Sequence, residues 1–329
     1  MGSLAPVRMI VAGTVVALMS TTVGIGCAGP VSAAPLTPGS RDCVVIDTDF
    51  DFDDLMAIPP VVAQRDVRAI ITTEGVTRPG PAAGAIRVLL KRGDVGPAPK
   101  VIVGAPSLAP HGPEEHPWLL RLRDALERLN NWLPSLRPAQ SMEVQQGRSG
   151  AFAQRVVKAV EDCTSIDLLI IGPFSSFNVY APAIEDRIDE VVLQGKPLHG
   201  DPLADPDDLT FNCEYDMPSC EAAFPHLDAM RSTWVEVTRN VHPPYVPSID
   251  MVRNLEDSGL PGALERALRA DQTTWRPQRL PPGGKSLLWD QLAALYLLRP
   301  EAFVPVGGHV ETTLTPQQVR RAWTAATNG

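Results

Sequence analysis

An excess of positive charge is missing from this chain. Its 29 Lys and Arg stand against 38 Asp and Glu, a formal net charge of −9. Nucleic-acid polymers are held through a positive footprint that this balance does not supply, so a polynucleotide partner is excluded and a small molecule or a metal ion suits the chain better. Also absent are internal repeats, an interdomain linker, and the Gly-x-Ser-x-Gly, P-loop and Gly-x-Gly-x-x-Gly signatures. Long apolar runs are scarce too. The stretch from Met9 to Gly26 is interrupted by Thr and Ser and falls short of the roughly 20 apolar residues that an uncleaved span needs.

That stretch follows Arg8 and precedes Val31-Ser32-Ala33-Ala34, the layout of a secretory signal peptide. Residues 1–33 are predicted to be removed on export, which leaves 34–329 as one domain. Lipid attachment at Cys27 is the weaker reading, because Gly24 stands where lipoprotein signals prefer an aliphatic residue. Without Cys27, four cysteines remain for an oxidising compartment, with three possible pairings. Cys43 and Cys163 each precede an apolar strand, and Cys213 and Cys220 bracket one short loop, so Cys43–Cys163 and Cys213–Cys220 are the expected bridges. Four unpaired buried thiols are the alternative.

Composition is otherwise ordinary, 44% hydrophobic and 20% charged, enough for a sizeable core. Apolar runs at 44–46, 67–72, 101–104, 167–171, 190–193 and 234–238 alternate with helical patterns at 84–92, 151–160, 260–270 and 287–298. That alternation predicts βαβ units and an α/β fold with an open, mostly parallel, Rossmann-like sheet flanked by helices. Residues 117–133 pattern as an amphipathic helix, and 196–210 as a long loop. A last helix opens with a capping box at Thr315-Pro316-Gln317-Gln318. Pro59-Pro60 fall two turns into the helix that starts near Asp53, where they are expected to kink or restart it.

Acid is concentrated at one place. Val44-Val45-Ile46 runs into Asp47, Asp49, Asp51, Asp53 and Asp54, at the carboxyl end of a strand, where open parallel sheets bind ligands. An EF-hand loop fits the spacing of Asp49, Asp51 and Asp53, but Asp54 stands where the loop needs Gly, and Pro60 where it needs Glu. A haloacid dehalogenase nucleophile fits Asp47-Thr48-Asp49 or Asp49-Phe50-Asp51, but the Thr or Val expected two residues later is missing. The third reading takes Asp47, Asp49, Asp53 and Asp54 together around a hard cation with oxygen ligands. Without a cation, mutual repulsion would raise some of their pKa values.

On that third reading the chain resembles the nucleoside hydrolase family, calcium-dependent enzymes that cleave the N-glycosidic bond of ribonucleosides. The opening motif Asp-x-Asp-x-x-x-Asp-Asp is matched by Asp47-Thr48-Asp49-Phe50-Asp51-Phe52-Asp53-Asp54. Ile71-Thr72-Thr73, Val103-Gly104-Ala105, Ile171-Gly172-Pro173, Phe211-Asn212 with Asp216, and Trp289-Asp290 follow in the family's order. The resemblance implies Ca2+ held by Asp49, Asp53, Asp54, Asp290 and the carbonyl of Ile171. It implies Asp49 as the base that activates water, Asp53 and Asn212 on the sugar hydroxyls, and Asp47 orienting the others from behind.

This sequence also departs from the family. Phe50-Asp51 replace the usual Pro-Gly, which leaves Asp51 without a counterpart and expected to face solvent or reshape the pocket mouth. The Asn usual after Thr73 falls near Thr77, and Thr210 and Trp289 replace a Glu and a His. Such losses change substrate choice or abolish turnover. A catalytically degenerate calcium-containing binding protein, or a hydrolase of another glycosyl bond, are therefore the alternatives. Trp289 is a candidate to stack on a base or to pack in the core, and His199 to contact substrate or protonate the leaving group. His111 and His116 lack zinc partners at ligand spacing. A homo-oligomer is compatible with all of this.

Overall fold

The computed structural model describes residues 42–108, 149–195, 210–235, 247–270 and 288–329, with Leu119, Arg123 and Tyr245 besides. At its centre runs Asp42–Thr48 (β1), buried from Cys43 to Thr48. A strand apolar on both faces can form only where helices cover both sides of a sheet. Val44 and Ile46 enter the core on one face, and Cys43 and Val45 enter it on the other, as the alternation of strand side chains requires.

Around β1 the chain lays down Phe52–Gln64 (α1), Val67–Thr72 (β2), Pro79–Arg92 (α2), Lys100–Val103 (β3), Ser149–Ala159 (α3), Ser165–Ile170 (β4), Phe177–Tyr180 (α4) and Ile188–Gln194 (β5). Phe211–Tyr215 (α5), Met217–Ala229 (α6), Ser232–Val235 (β6), Ile249–Arg253 (α7), Gly259–Ala270 (α8) and Trp289–Leu298 (α9) follow, then Phe303–Val306 (β7), His309–Thr312 (β8) and Pro316–Asn328 (α10). The sheet has eight strands in the order β3-β2-β1-β4-β5-β6-β8-β7. All neighbours pair parallel except the β7–β8 hairpin. Strand order reverses between β1 and β4, and the carboxyl ends there form the crevice of such folds. No helix among the described residues is long and apolar enough to cross a membrane.

The predicted alternation of strand and helix is the one observed, with ends shifted by a few residues. The β7–β8 hairpin was not singled out from sequence; its cue is Gly307-Gly308, with Gly307 at φ 61°. Both expected bridges are present, Cys43–Cys163 with Cα atoms 5.8 Å apart and Cys213–Cys220 with 5.1 Å. Residues 1–41, including Cys27, lie outside the described residues, as do 196–209 with His199 and most of 117–133, of which Leu119 and Arg123 are helical.

Of the kink or restart expected at Pro59-Pro60, the restart is corrected. α1 is a single helix with Pro59 and Pro60 inside it, neither stopped nor restarted there. Pro60 lacks the N–H that would bond the carbonyl of Met56. Trp323 of α10, fully buried, donates its indole Nε1–H to that carbonyl at 2.8 Å instead. A donor 267 residues away supplies what the local sequence removed.

Candidate metal centre and active site

The acid cluster is shaped by a turn and a cap. After Thr48 the backbone turns through Phe50, which is buried and holds φ 54°, a left-handed conformation that costs a bulky side chain energy. Asp51 then N-caps α1. Its carboxylate accepts from Phe52 N–H at 2.5 Å, and Asp54 Oδ2 accepts from Asp51 N–H at 2.9 Å, completing a capping box. Asp51 is thus the half-buried start of the helix, close enough to the cluster that its charge is repelled by Asp49 and repels Asp53. Thr48 Oγ1 donates to Asp54 Oδ1 and accepts from Phe50 N–H at 3.0 Å.

Capping leaves Asp53 and Asp54 in the first turn of α1, where the helix end favours negative charge. α9 packs along α1 and carries Asp290 in its own first turn. Each of Asp53, Asp54 and Asp290 offers a carboxylate oxygen within 4.8 Å of the others, and all three are buried. Burial pushes all three well above the ordinary carboxylate range, and repulsion among them and from Asp49 pushes further. Three buried carboxylates offering only hard oxygens, with no cationic side chain among the causes that shift them, are a donor set that fits a hard divalent cation such as calcium.

Asp49 stands outside that group of three but is held beside it. Its Oδ2 accepts from Val76 N–H at 2.7 Å, and its carbonyl accepts from Thr77 Oγ1 at 2.6 Å and Thr77 N–H at 3.1 Å. Two glycines let the chain close around it. A Cβ on Gly75 would overlap Asp49 Oδ2, and one on Gly172 would lie 2.7 Å from Asp49 N. Burial raises the Asp49 carboxyl to about 6, opposed by the Val76 hydrogen bond and by the positive charge of Arg123.

Asp47 lies deeper. Thr73 Oγ1 donates to its Oδ1, Thr73 lies 2.6 Å from Ser176 Oγ, and Ser176 accepts from Ala105 N–H at 2.8 Å. Asp47 Oδ2 and the Tyr180 hydroxyl are both buried and face each other, and burial and then the carboxyl raise the pKa of the hydroxyl. Burial pushes Asp47 up to about 8 against the Thr73 hydrogen bond. A carboxyl so enclosed can position its surroundings but cannot reach a solute.

The other sequence candidates fall around this centre. Ile171 follows β4, and its N–H donates to the carbonyl of Asp47 at 2.8 Å. Asn212, on α5, is buried with Nδ2 3.4 Å from Gln194 Oε1, at the end of β5. Thr210 caps α5, and its buried Oγ1 is without a partner. Trp289 opens α9 half-buried against the core around α1. Asp216 is taken up structurally, accepting from Ser219 Oγ at 2.6 Å and Leu108 N–H at 2.8 Å.

Arg123 is the participant that sequence reasoning missed. Its guanidinium donates to the carbonyls of Gly75 at 2.6 Å and Val76 at 2.9 Å and to Tyr215 Oη at 3.0 Å. It braces the loop whose Val76 N–H holds Asp49. Nothing in the sequence pattern of 117–133 distinguishes this arginine from the other charged residues there. Thr73, Ser176 and Tyr180 were likewise not marked as a set, since they come from three separate segments.

No protein-family model matches the sequence, and no curated protein is similar to it. Solved structures are similar in fold. A purine-preferring ribonucleoside hydrolase from Gardnerella vaginalis superposes with a TM-score of 0.59 at 14% identity, over 87% of this chain and 99% of that one. A plant nucleoside hydrolase gives 0.57 at 14% identity, over 87% and 99%. The inosine-uridine preferring nucleoside hydrolase of Bacillus anthracis gives 0.55 at 13% identity, over 88% and 99%. Through nearly its whole described length, this chain has the nucleoside hydrolase fold.

Proposed function

We propose that the chain is an exported, calcium-dependent hydrolase of the N-glycosidic bond of a ribonucleoside. The observation that carries this reading is the buried group of Asp53, Asp54 and Asp290 at the ligand-binding end of a nucleoside hydrolase fold. Two disulfides and the predicted signal peptide at 1–33 support export.

Asp53, Asp54 and Asp290 would hold the ion, with Asp49 and the Ile171 carbonyl completing its ligands. Calcium bound there would supply Lewis acidity that lowers the pKa of a coordinated water. Asp49 accepts the proton. The Val76 hydrogen bond fixes its aim. Asp53 and Asn212 would grip ribose hydroxyls, Trp289 would stack on the base, and His199 is kept as the candidate to protonate the leaving group. The surrounding carboxylates stabilise the oxocarbenium-like charge as the bond to the base breaks.

Thr210 favours one variation. Its buried hydroxyl lacks a hydrogen-bond partner two residues before Asn212, at a position where the family resemblance implies Glu, so a glycosyl group other than an unmodified ribonucleoside is the second reading. The test is incubation of calcium-loaded protein with purine and pyrimidine nucleosides, assayed for free ribose. Release from at least one is expected; no release from any refutes this substrate class.

A further inference from the structure

At the far edge of the sheet from β7, a second recess has the opposite charge. β3 is an edge strand, and its Val101 and Val103 carbonyls point away from β2, because the intervening Ile102 carbonyl accepts from Thr72 Oγ1 at 3.3 Å. Arg87 of α2 donates Nη2 to Val101 O at 2.8 Å, and Arg155 of α3 donates Nη2 to Val103 O at 3.3 Å. The two helices lie on opposite faces of the sheet, so two guanidiniums converge on one open edge. Burial lowers the pKa of Arg87, and repulsion from Arg155 lowers it further.

Between these arginines lies a hollow of about 910 Å³, which Lys91, Lys100, Lys158 and Arg68 also line. Arg68 is matched by Asp162 at 2.6 Å. Lys91, Lys100, Arg155 and Lys158 have no carboxylate within ion-pair distance among the described residues. The only acids in the lining are Asp94 and Glu161. Lysines in the last turn of α2 and α3 have an ordinary use beside a helix C-terminus, which accounts for Lys91 and Lys158. It does not account for Lys100, at the start of β3, or for the paired arginines. In a chain of net charge −9, such a recess is a local concentrator of anions.

We propose that this hollow binds a small phosphoryl anion, separately from the carboxylate centre. Phosphate suits it because guanidinium forks and ammonium groups arriving from several sides match a multiply charged tetrahedral oxyanion. The recess is concave, which suits a solute better than a flat lipid surface.

The test is calorimetric titration of the full-length, calcium-loaded protein with inorganic phosphate and with fructose 1,6-bisphosphate at constant ionic strength. Lys100→Glu and Lys158→Glu are the variants, since both side chains are exposed and neither caps β3. Saturable binding is expected, weakened roughly tenfold or more by each charge reversal, with thermal midpoints of the free proteins unchanged. Arg155→Ala adds a second readout, losing affinity together with some stability through the freed Val103 carbonyl. No binding at about 10 mM anion, or equal affinity in wild type and both lysine variants, overturns the proposal. Binding only to phosphatidylglycerol vesicles overturns it in favour of membrane attachment.

Discussion

Phe50 sets two opposed effects against each other. Its side chain is 1% exposed, and its φ of 54° is one that only glycine adopts freely. Deleting a buried Phe costs about 3–5 kcal/mol, and a left-handed non-glycine residue costs about 1–2 kcal/mol. Burial wins, so Phe50→Gly is expected to destabilise the protein, but by about 1 kcal/mol less than Phe50→Ala; equal losses in chemical denaturation would show that the turn carries no strain. Gly75 and Asp49 make the corresponding pair for function. Gly75→Ala drives a methyl group into Asp49 Oδ2, and a displacement of about 1 Å costs a reaction on the order of 100-fold. On the proposed mechanism, kcat should fall by that order while calcium affinity changes little. Asp49→Asn should abolish turnover and keep most calcium binding, since Asp53, Asp54 and Asp290 form a group without it. Loss of the metal as well would make Asp49 a ligand first.

Among the elements, α1 depends most on partners outside itself. Its capping box is local and legible, but its passage through Pro59-Pro60 rests on Trp323. Trp323→Phe keeps most of the ring and removes the donor, leaving the Met56 carbonyl buried and unpaired. The expected cost is about 1–3 kcal/mol beyond the change in packing. Combining it with Pro60→Ala restores a backbone donor, so the Trp323→Phe penalty should shrink in that background; a penalty unchanged in denaturant titrations would mean that the indole bond does not compensate the proline.

Across the whole molecule, charge and cross-links set the stability. Carboxylates with raised pKa hold protons in the folded state that the unfolded chain releases near 3.8. Stability is therefore lost as pH rises above about 4, through about 6 for Asp49 and about 8 for Asp47. Chelator-treated protein should show a thermal midpoint that falls from pH 4 to 8. Calcium should remove most of that slope, leaving the part due to Asp47. A midpoint independent of pH in the chelated protein would contradict the buried-carboxylate account. The disulfides act on the unfolded chain. Cys43–Cys163 closes a 120-residue separation and Cys213–Cys220 one of 7. On the chain-entropy account, losing the first costs about 5 kcal/mol and losing the second about half that, an ordering that paired Cys→Ser variants test by denaturation.

The order of strands and helices, the acid-bearing strand end, the start of α1 and both cysteine pairs were legible in the chain itself. Apart from Cys43–Cys163, 120 residues apart and legible from the position of each cysteine before a strand, each is written in residues close together in sequence or in a period that one strand or helix repeats. Which acids meet was decided only by packing. Asp290 reaches Asp53 and Asp54 because α9 lies along α1, while Asp49 is drawn to Val76 and Asp51 to the helix cap. The same holds for Trp323 over the prolines, for Arg123 under the Asp49 loop, and for Thr73 and Ser176 around Asp47. Capping, strand alternation and charge spacing act within a few residues and so leave a local pattern. A hydrogen bond across 267 residues leaves none, because its partners are brought together by the burial of surfaces that belong to other residues.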